Sequence, residues 1–224
     1  MFSKRQLQIM TGAGVVVVLA LIGVTIRERW ERRANRRLAP VPTNLAPERQ
    51  REVTDQIAKS EAAIRANPSD FNAYVELALA KEELGDRDGA AETYRTMNQR
   101  FPGNYLSFQN LGQLYEDAGK YDLAAEQYLL AINNAPRIAH LYRKIVNLYT
   151  YQLKDRASDL PRILQKGLGV TPGSIDLMAM LAVYYRDHGQ PEEAIKWYEH
   201  LLVFDPKNTA VLTEVKELQA QMRK

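Results

Sequence analysis

The chain has no cysteine among its 224 residues, which excludes disulfides, thiolate zinc sites, iron–sulfur clusters and a cysteine nucleophile. Histidine is scarce, with three residues, His140, His188 and His200. None stands in an H-x-x-x-H or H-E-x-x-H arrangement, and none has a paired carboxylate at metal-ligand spacing. P-loop, G-x-G-x-x-G and G-x-S-x-G sequences are missing, and Gly167-Leu168-Gly169 is too short to hold a phosphate. His188 beside a glycine reads as a solvated turn residue, and His200 as an outward helix residue. Glu82–Glu83 and Glu192–Glu193 read as exposed helix-end charge rather than a general acid–base couple. No catalytic residue, metal ligand or cofactor is expected, and the chain does not read as an enzyme.

A uniform excess of one charge is also lacking. The formal charge is +3, with 46% hydrophobic and 25% charged residues, which argues against wholesale disorder. Residues 1–40 hold eight Lys/Arg against Glu28 and Glu31, a net of +6, so the remainder of the +3 chain carries −3. The basic pI of about 9.0 therefore belongs to a short N-terminal stretch. A mildly acidic body lacks the Lys/Arg stripe that nucleic acid requires, so no nucleic-acid partner is expected.

Between Arg5 and Arg27 lie 21 residues without a charge, QLQIMTGAGVVVVLALIGVTI. At ~1.5 Å per helical residue they would span about 32 Å, enough for a hydrocarbon core of roughly 30 Å. A cleaved secretory signal is the competing reading, but Ile26 runs straight into RERWERRANRR with no small-residue cleavage pattern. The expectation is an uncleaved single-pass anchor over 6–26, with Arg27, Arg29, Trp30, Arg32 and Arg33 at the membrane interface. Six Lys/Arg follow the segment and two precede it, which favours a cytoplasmic body, although Lys4 and Arg5 would then cross with the N-terminus.

Beyond the proline-bearing linker LAPVPTNLAP, one arithmetic regularity organises the chain. Pro68, Pro102, Pro136, Pro172 and Pro206 are separated by 34, 34, 36 and 34 residues, a period that marks a solenoid. Other columns recur with them. Eight residues before the last four prolines stand Tyr94, Tyr128, Leu164 and Tyr198, and twelve before stand Ala90, Ala124, Leu160 and Ala194. Gly85, Gly119 and Gly189 lie 17 before their prolines. Apolar residues at spacings of three and four form one helical face before each glycine and another after it. Each unit is thus a helical hairpin that must stack on its neighbours to bury its apolar face.

The unit Tyr105–Pro136 carries Phe108, Leu111, Gly112, Tyr115, Gly119, Tyr121, Ala124, Tyr128, Ala131 and Pro136. This pattern resembles the tetratricopeptide repeat family and covers about residues 71–208. The resemblance implies an all-α solenoid of helical hairpins in a right-handed superhelix, preceded here by the transmembrane helix. The expected organisation is a basic tail (1–5), the anchor (6–26), a basic and Pro-rich linker (27–47) and an N-terminal half-repeat helix (48–68). Four repeats follow (71–104, 105–138, 139–174, 175–208), then a capping helix (209–224). The third has two extra residues, with Gln152–Ser158 replacing the glycine turn and widening the hairpin.

In the family, the first helices of the units line a concave groove that holds a peptide. The corresponding partner-binding candidates are Asn72, Gln109, Asn110, Gln113, His140, Arg143, Lys144, Asn147 and Tyr151. In the fourth unit the same face carries Asp176, Ala179, Met180 and Val183. Arg143 and Lys144 are expected to receive an acidic side chain or a terminal carboxylate. Some members clamp the C-terminal carboxylate of heat-shock chaperones through Lys and Asn residues. Here Val75 and Leu79 stand at two of those places, and a register begun at Arg143 and Asn147 meets Met180 where Asn is needed. The expected role is a membrane-tethered scaffold for protein or peptide partners, components of membrane complexes, in their assembly, biogenesis or quality control or as an accessory subunit. The alternative is a self-associating membrane-anchored oligomer, and the sequence leaves the oligomeric state open.

Overall fold

The computed structural model describes residues 36–223. The chain divides into two compact units, Met1–Ala39 and Pro40–Lys224. Of the first, only residues 36–39 are described. The expected span over 6–26 and the interfacial residues Arg27, Arg29, Trp30, Arg32 and Arg33 lie outside the described residues. Among the described residues, no helix is long and apolar enough to cross a membrane.

The second unit is helical throughout, with no strand among the described residues. After an extended stretch, α1 (Pro47–Ala66) leads into the hairpins α2 (Phe71–Glu83) with α3 (Arg87–Arg100) and α4 (Tyr105–Asp117) with α5 (Tyr121–Asn134). Helix α6 (Ala139–Tyr151) is joined to α7 (Leu160–Val170) through a 3-10 segment, Lys154–Asp159. The last hairpin pairs α8 (Ile175–Asp187) with α9 (Pro191–Phe204), and α10 (Thr209–Gln221) closes the stack. The principal contacts join helices consecutive in sequence, and α6 additionally meets α8.

Side chains at the helix ends explain these boundaries. Asp70, Asp86, Asn104, Ser174 and Asn208 each accept a hydrogen bond from a backbone N–H of the first turn they precede, supplying one of the donors a helix start leaves unpaired. Pro47 and Pro191 open α1 and α9, where the missing N–H costs nothing. At the hairpin turns, Gly85, Gly119 and Gly189 have φ of 74°, 69° and 66°. The next amide then reaches back to a carbonyl five residues earlier: Asp86 to Lys81 at 2.9 Å, Lys120 to Tyr115 at 2.8 Å, Gln190 to Tyr185 at 2.9 Å. The third hairpin makes the same reach-back bond, Leu153 to Leu148 at 2.9 Å, without a left-handed residue. The chain then enters the 3-10 segment instead of α7, and α6 and α7 meet over a shorter stretch than α4 and α5.

The core is the run of recurring columns. Tyr94, Tyr128, Ala90, Ala124, Met97, Ala131, Ile145 and Leu164 are fully buried. Helix α1 covers α2 through buried Val53 and through Arg49 to Glu83 (2.6 Å) and Gln56 to Glu76 (2.8 Å). Helix α10 contributes buried Val215 and Leu218, whereas Met222 is exposed.

Candidate functional site

The buried tyrosines do more than fill space. From α3, Tyr94 Oη donates to Glu82 Oε1 on α2 at 2.6 Å and accepts from Asn110 Nδ2 on α4 at 3.3 Å. From α5, Tyr128 Oη donates to Glu116 Oε2 at 2.5 Å and lies 3.2 Å from Gln113 Oε1, both on α4. A Cβ at Gly112 would sit 2.7 Å from the Tyr128 ring, so only glycine lets α4 and α5 close around it. In the fourth unit, Arg186 Nη1 reaches Tyr198 Oη at 3.5 Å and pairs with Glu214 on α10 at 3.0 Å. Burial pushes the Tyr94 and Tyr128 phenols well above their ordinary range, and the adjacent carboxylates push them further. Glu82, expected as exposed charge, is half-buried against Tyr94. Burial raises its carboxyl above the usual range, opposed by the hydrogen bond from the phenol.

A second set of polar contacts joins first helices one repeat apart. His140 Nε2 lies 2.6 Å from Gln109 Oε1. Lys144 Nζ donates to Gln113 Oε1, lies 3.7 Å from Glu116 Oε2, and stands 5.8 Å from the centre of the Tyr128 ring. Arg143 Nη2 donates to Asp176 Oδ1 on α8 at 2.9 Å. Thus the two cations expected to meet an acidic partner each hold an acidic group of their own chain. Both pairs are partly solvated, and such pairs are worth ~0–1 kcal/mol, so they orient these side chains without locking them. Asn72 is exposed on α2, away from these contacts.

The third unit breaks the pattern. Its tyrosine column holds Leu164, too short for a polar tip to reach the row of first helices. Sixteen residues before the tyrosines stand Ala78, Gly112 and Ala182, but the matching place in the widened third unit is Val146. Small-plus-tyrosine has become valine-plus-leucine, which fills the base of the interhelical space and leaves its mouth open. The result is a cavity of about 350 Å³ between α6, α7 and α8, within the ~300–1,000 Å³ range of ligand pockets. Leu160, Leu164, Val146, Ala179, Met180 and Val183 supply its apolar walls. Its polar margin comes from Arg143, Asn147 and Thr150 on α6 and Asp176 and Asp187 on α8. Tyr151, 68% exposed, stands at the margin with Tyr184, on which the His188 ring stacks with centroids 4.0 Å apart.

Of the sequence candidates, Arg143, Asn147 and Tyr151 come together at this opening, facing Asp176, Ala179, Met180 and Val183, the positions expected on the same face of the fourth unit. Gln109, Asn110, Gln113, His140 and Lys144 belong to the paired polar rows, and Asn72 joins neither. Sequence reasoning missed Val146, Thr150, Leu160, Leu164, Tyr184, Asp187 and His188. Leucine in a tyrosine column beside a lost turn glycine was the available signal. Among the described residues, no group of three or more His, Asp or Glu is placed to hold a metal ion.

Family models described as the tetratricopeptide repeat match residues 57–105, 106–138 and 175–208, together more than half of the chain. The chain belongs to the tetratricopeptide repeat family. The matches pass over the third repeat, the one that carries the insertion and the cavity. The chain is 25% identical over 119 residues to tetratricopeptide repeat protein 37 of Xenopus laevis, which is 50% of this chain and 7% of that protein. It therefore spans a small fraction of that relative's length. Two solved tetratricopeptide repeat structures share the fold. One is YrrB, described as having an unusual peptide-binding site (TM-score 0.52, 13% identity, 73% of this chain and 84% of that one). The other is the C-terminal part of a repeat protein from Cytophaga hutchinsonii (TM-score 0.53, 19% identity, 71% and 65%).

Proposed function

We propose that this protein is a membrane-tethered scaffold whose row of first helices holds a segment of a partner protein, serving the assembly, biogenesis or quality control of a membrane complex or as its accessory subunit. The observation that carries the binding role is the open cavity between α6, α7 and α8. An apolar pocket of this size with polar groups at its margin is a ready acceptor for a partner's side chain. The fold-level likeness to YrrB agrees with a peptide-binding role, as analogy only.

The uncharged stretch over residues 6–26 and the basic run after it support the tether, with the repeats on the cytoplasmic side. Tethering raises the local concentration of membrane partners, so modest affinity suffices and no catalysis is involved. The test is purification of the full-length chain from its own cells in mild detergent. A protein partner is expected to survive with the wild type and to be lost from the Asn147→Arg/Val183→Arg variant. Equal retention by that variant, or no retained partner, would remove the groove role. Protease protection on sealed vesicles tests the topology.

A second reading, self-association, is favoured by one observation. Ile175, Val203 and Phe204 are 55%, 76% and 51% exposed, an unusual apolar edge at one end of the last hairpin. A strictly monomeric full-length chain in detergent would remove it.

A further inference from the structure

We infer that the cavity of the third repeat is a slot for a tyrosine-like side chain of the partner segment, with a basic residue of that segment lying toward Asp187; this rests on the groove-binding reading above.

The neighbouring units show what such a place accepts. At three positions of the column the chain supplies its own phenol, Tyr94, Tyr128 and Tyr198, and each hydroxyl meets a polar side chain near the end of its first helix. At the fourth position, Leu164 stops short and the cavity opens. Periodicity locates what a visiting hydroxyl would find. Gln113 and Glu116, the partners of Tyr128, lie 34 residues before Asn147 and Thr150. Both Asn147 and Thr150 line the cavity with exposed side chains. Thr150 thus stands at the mouth in the column where the other units place Glu82, Glu116 and Arg186 against their phenols, and Asn147 stands where the second unit places Gln113. The reachable walls are Val146, Met180 and Val183, suited to an aromatic face, with buried Leu164 beneath them.

Charge sets the neighbour. At the Arg143 end the guanidinium is matched one-to-one by Asp176 at 2.9 Å. At the opposite end a single guanidinium, Arg186, serves two carboxylates, Asp187 at 2.9 Å and Glu214 at 3.0 Å. One negative charge is left over there, on half-exposed groups. A lysine or arginine beside the aromatic residue complements it, whereas an acidic neighbour is repelled.

The test pans a phage-displayed library of random twelve-residue peptides against the full-length chain in detergent micelles. The expected result is enrichment of sequences that pair an aromatic with a basic residue. The Val146→Ala/Leu164→Tyr variant, which restores the column's own phenol, should weaken a selected peptide roughly tenfold or more. Val183→Arg, at a partly exposed position, provides the same block should the double variant lose helicity. Asp187→Asn should relax the basic preference while the aromatic one persists. Enriched peptides that lack an aromatic residue but are lost with Val183→Arg overturn the slot while leaving groove binding intact, and peptides indifferent to both blocking variants overturn both readings. If those peptides are instead lost on changing Gln109 and Gln113, the binding face lies in the earlier repeats. No enrichment at all overturns both readings.

Discussion

Tyr128 Oη donates to Glu116 Oε2 at 2.5 Å, tying the second helix of the second repeat to the end of its first. The ring is fully buried, so the hydroxyl has no water to fall back on. Tyr128→Phe should cost ~1–2 kcal/mol in urea unfolding, because a partly buried carboxylate loses its one short hydrogen bond and keeps only Lys144 at 3.7 Å. Tyr94→Phe should behave alike through Glu82. A change below ~0.5 kcal/mol in both would show that the rings act by packing alone.

The same bonds set the response to alkali. The Tyr94 and Tyr128 phenols have folded-state pKa values raised above the unfolded value of about 10. The unfolded chain therefore loses these protons first, and stability falls as pH climbs through about 10. Replacing both tyrosines by phenylalanine should flatten that fall, as seen in urea midpoints across the alkaline range. An unchanged slope would assign the loss to other groups.

Glu82 acts at the other end of the scale. Its carboxyl is raised by burial, so the protonated form is the one the fold prefers. Its contribution is fully present below the ordinary carboxylate value of about 4.3 and declines as pH rises toward the raised value. Glu82→Gln keeps an acceptor for Tyr94 and removes the charge. It should be at least as stable as wild type near neutrality, and its advantage should vanish in acid; melting curves at several pH values decide this.

Leu164→Tyr alone should cost ~1–3 kcal/mol, since Val146 holds space that glycine or alanine leaves free in the other repeats. Adding Val146→Ala should recover most of that loss. Failure of the second change to rescue the first would mean the two side chains do not share one space.

Gly85 differs from the other turn glycines in what lies over it. Gly119→Ala and Gly189→Ala would meet nothing within 4 Å, and their cost is the left-handed backbone alone, ~1–2 kcal/mol. At Gly85 a methyl group would collide with the carbonyl oxygen of Val41, whose N–H donates to Gly85 O at 3.0 Å. Gly85→Ala should therefore exceed the other two by ~1 kcal/mol or more, and equal losses would show that the crossing contributes nothing.

The fold was legible because its determinants are local and repeated. The prolines, turn glycines and tyrosine columns each recur near the period of 34, and chance does not align so many columns. The site was legible only in part. Arg143 and Lys144 look unpaired when read singly, yet their partners Asp176 and Gln113 lie 33 and 31 residues away, about one repeat. The cavity lies where two columns change together, Val146 for a small residue and Leu164 for tyrosine, beside the turn that Gln152–Ser158 replaces. Their joint effect on helix spacing is a matter of three-dimensional packing, which no single column records.

The crossing of Val41 over Gly85 also has a mechanical side. Pulling on Val41 loads the first hairpin turn, where its N–H holds Gly85 O, before it loads the start of α1. The stretch from Pro47 to Ala66 is thereby relieved of load until that bond parts, after which it would be the first piece to peel away.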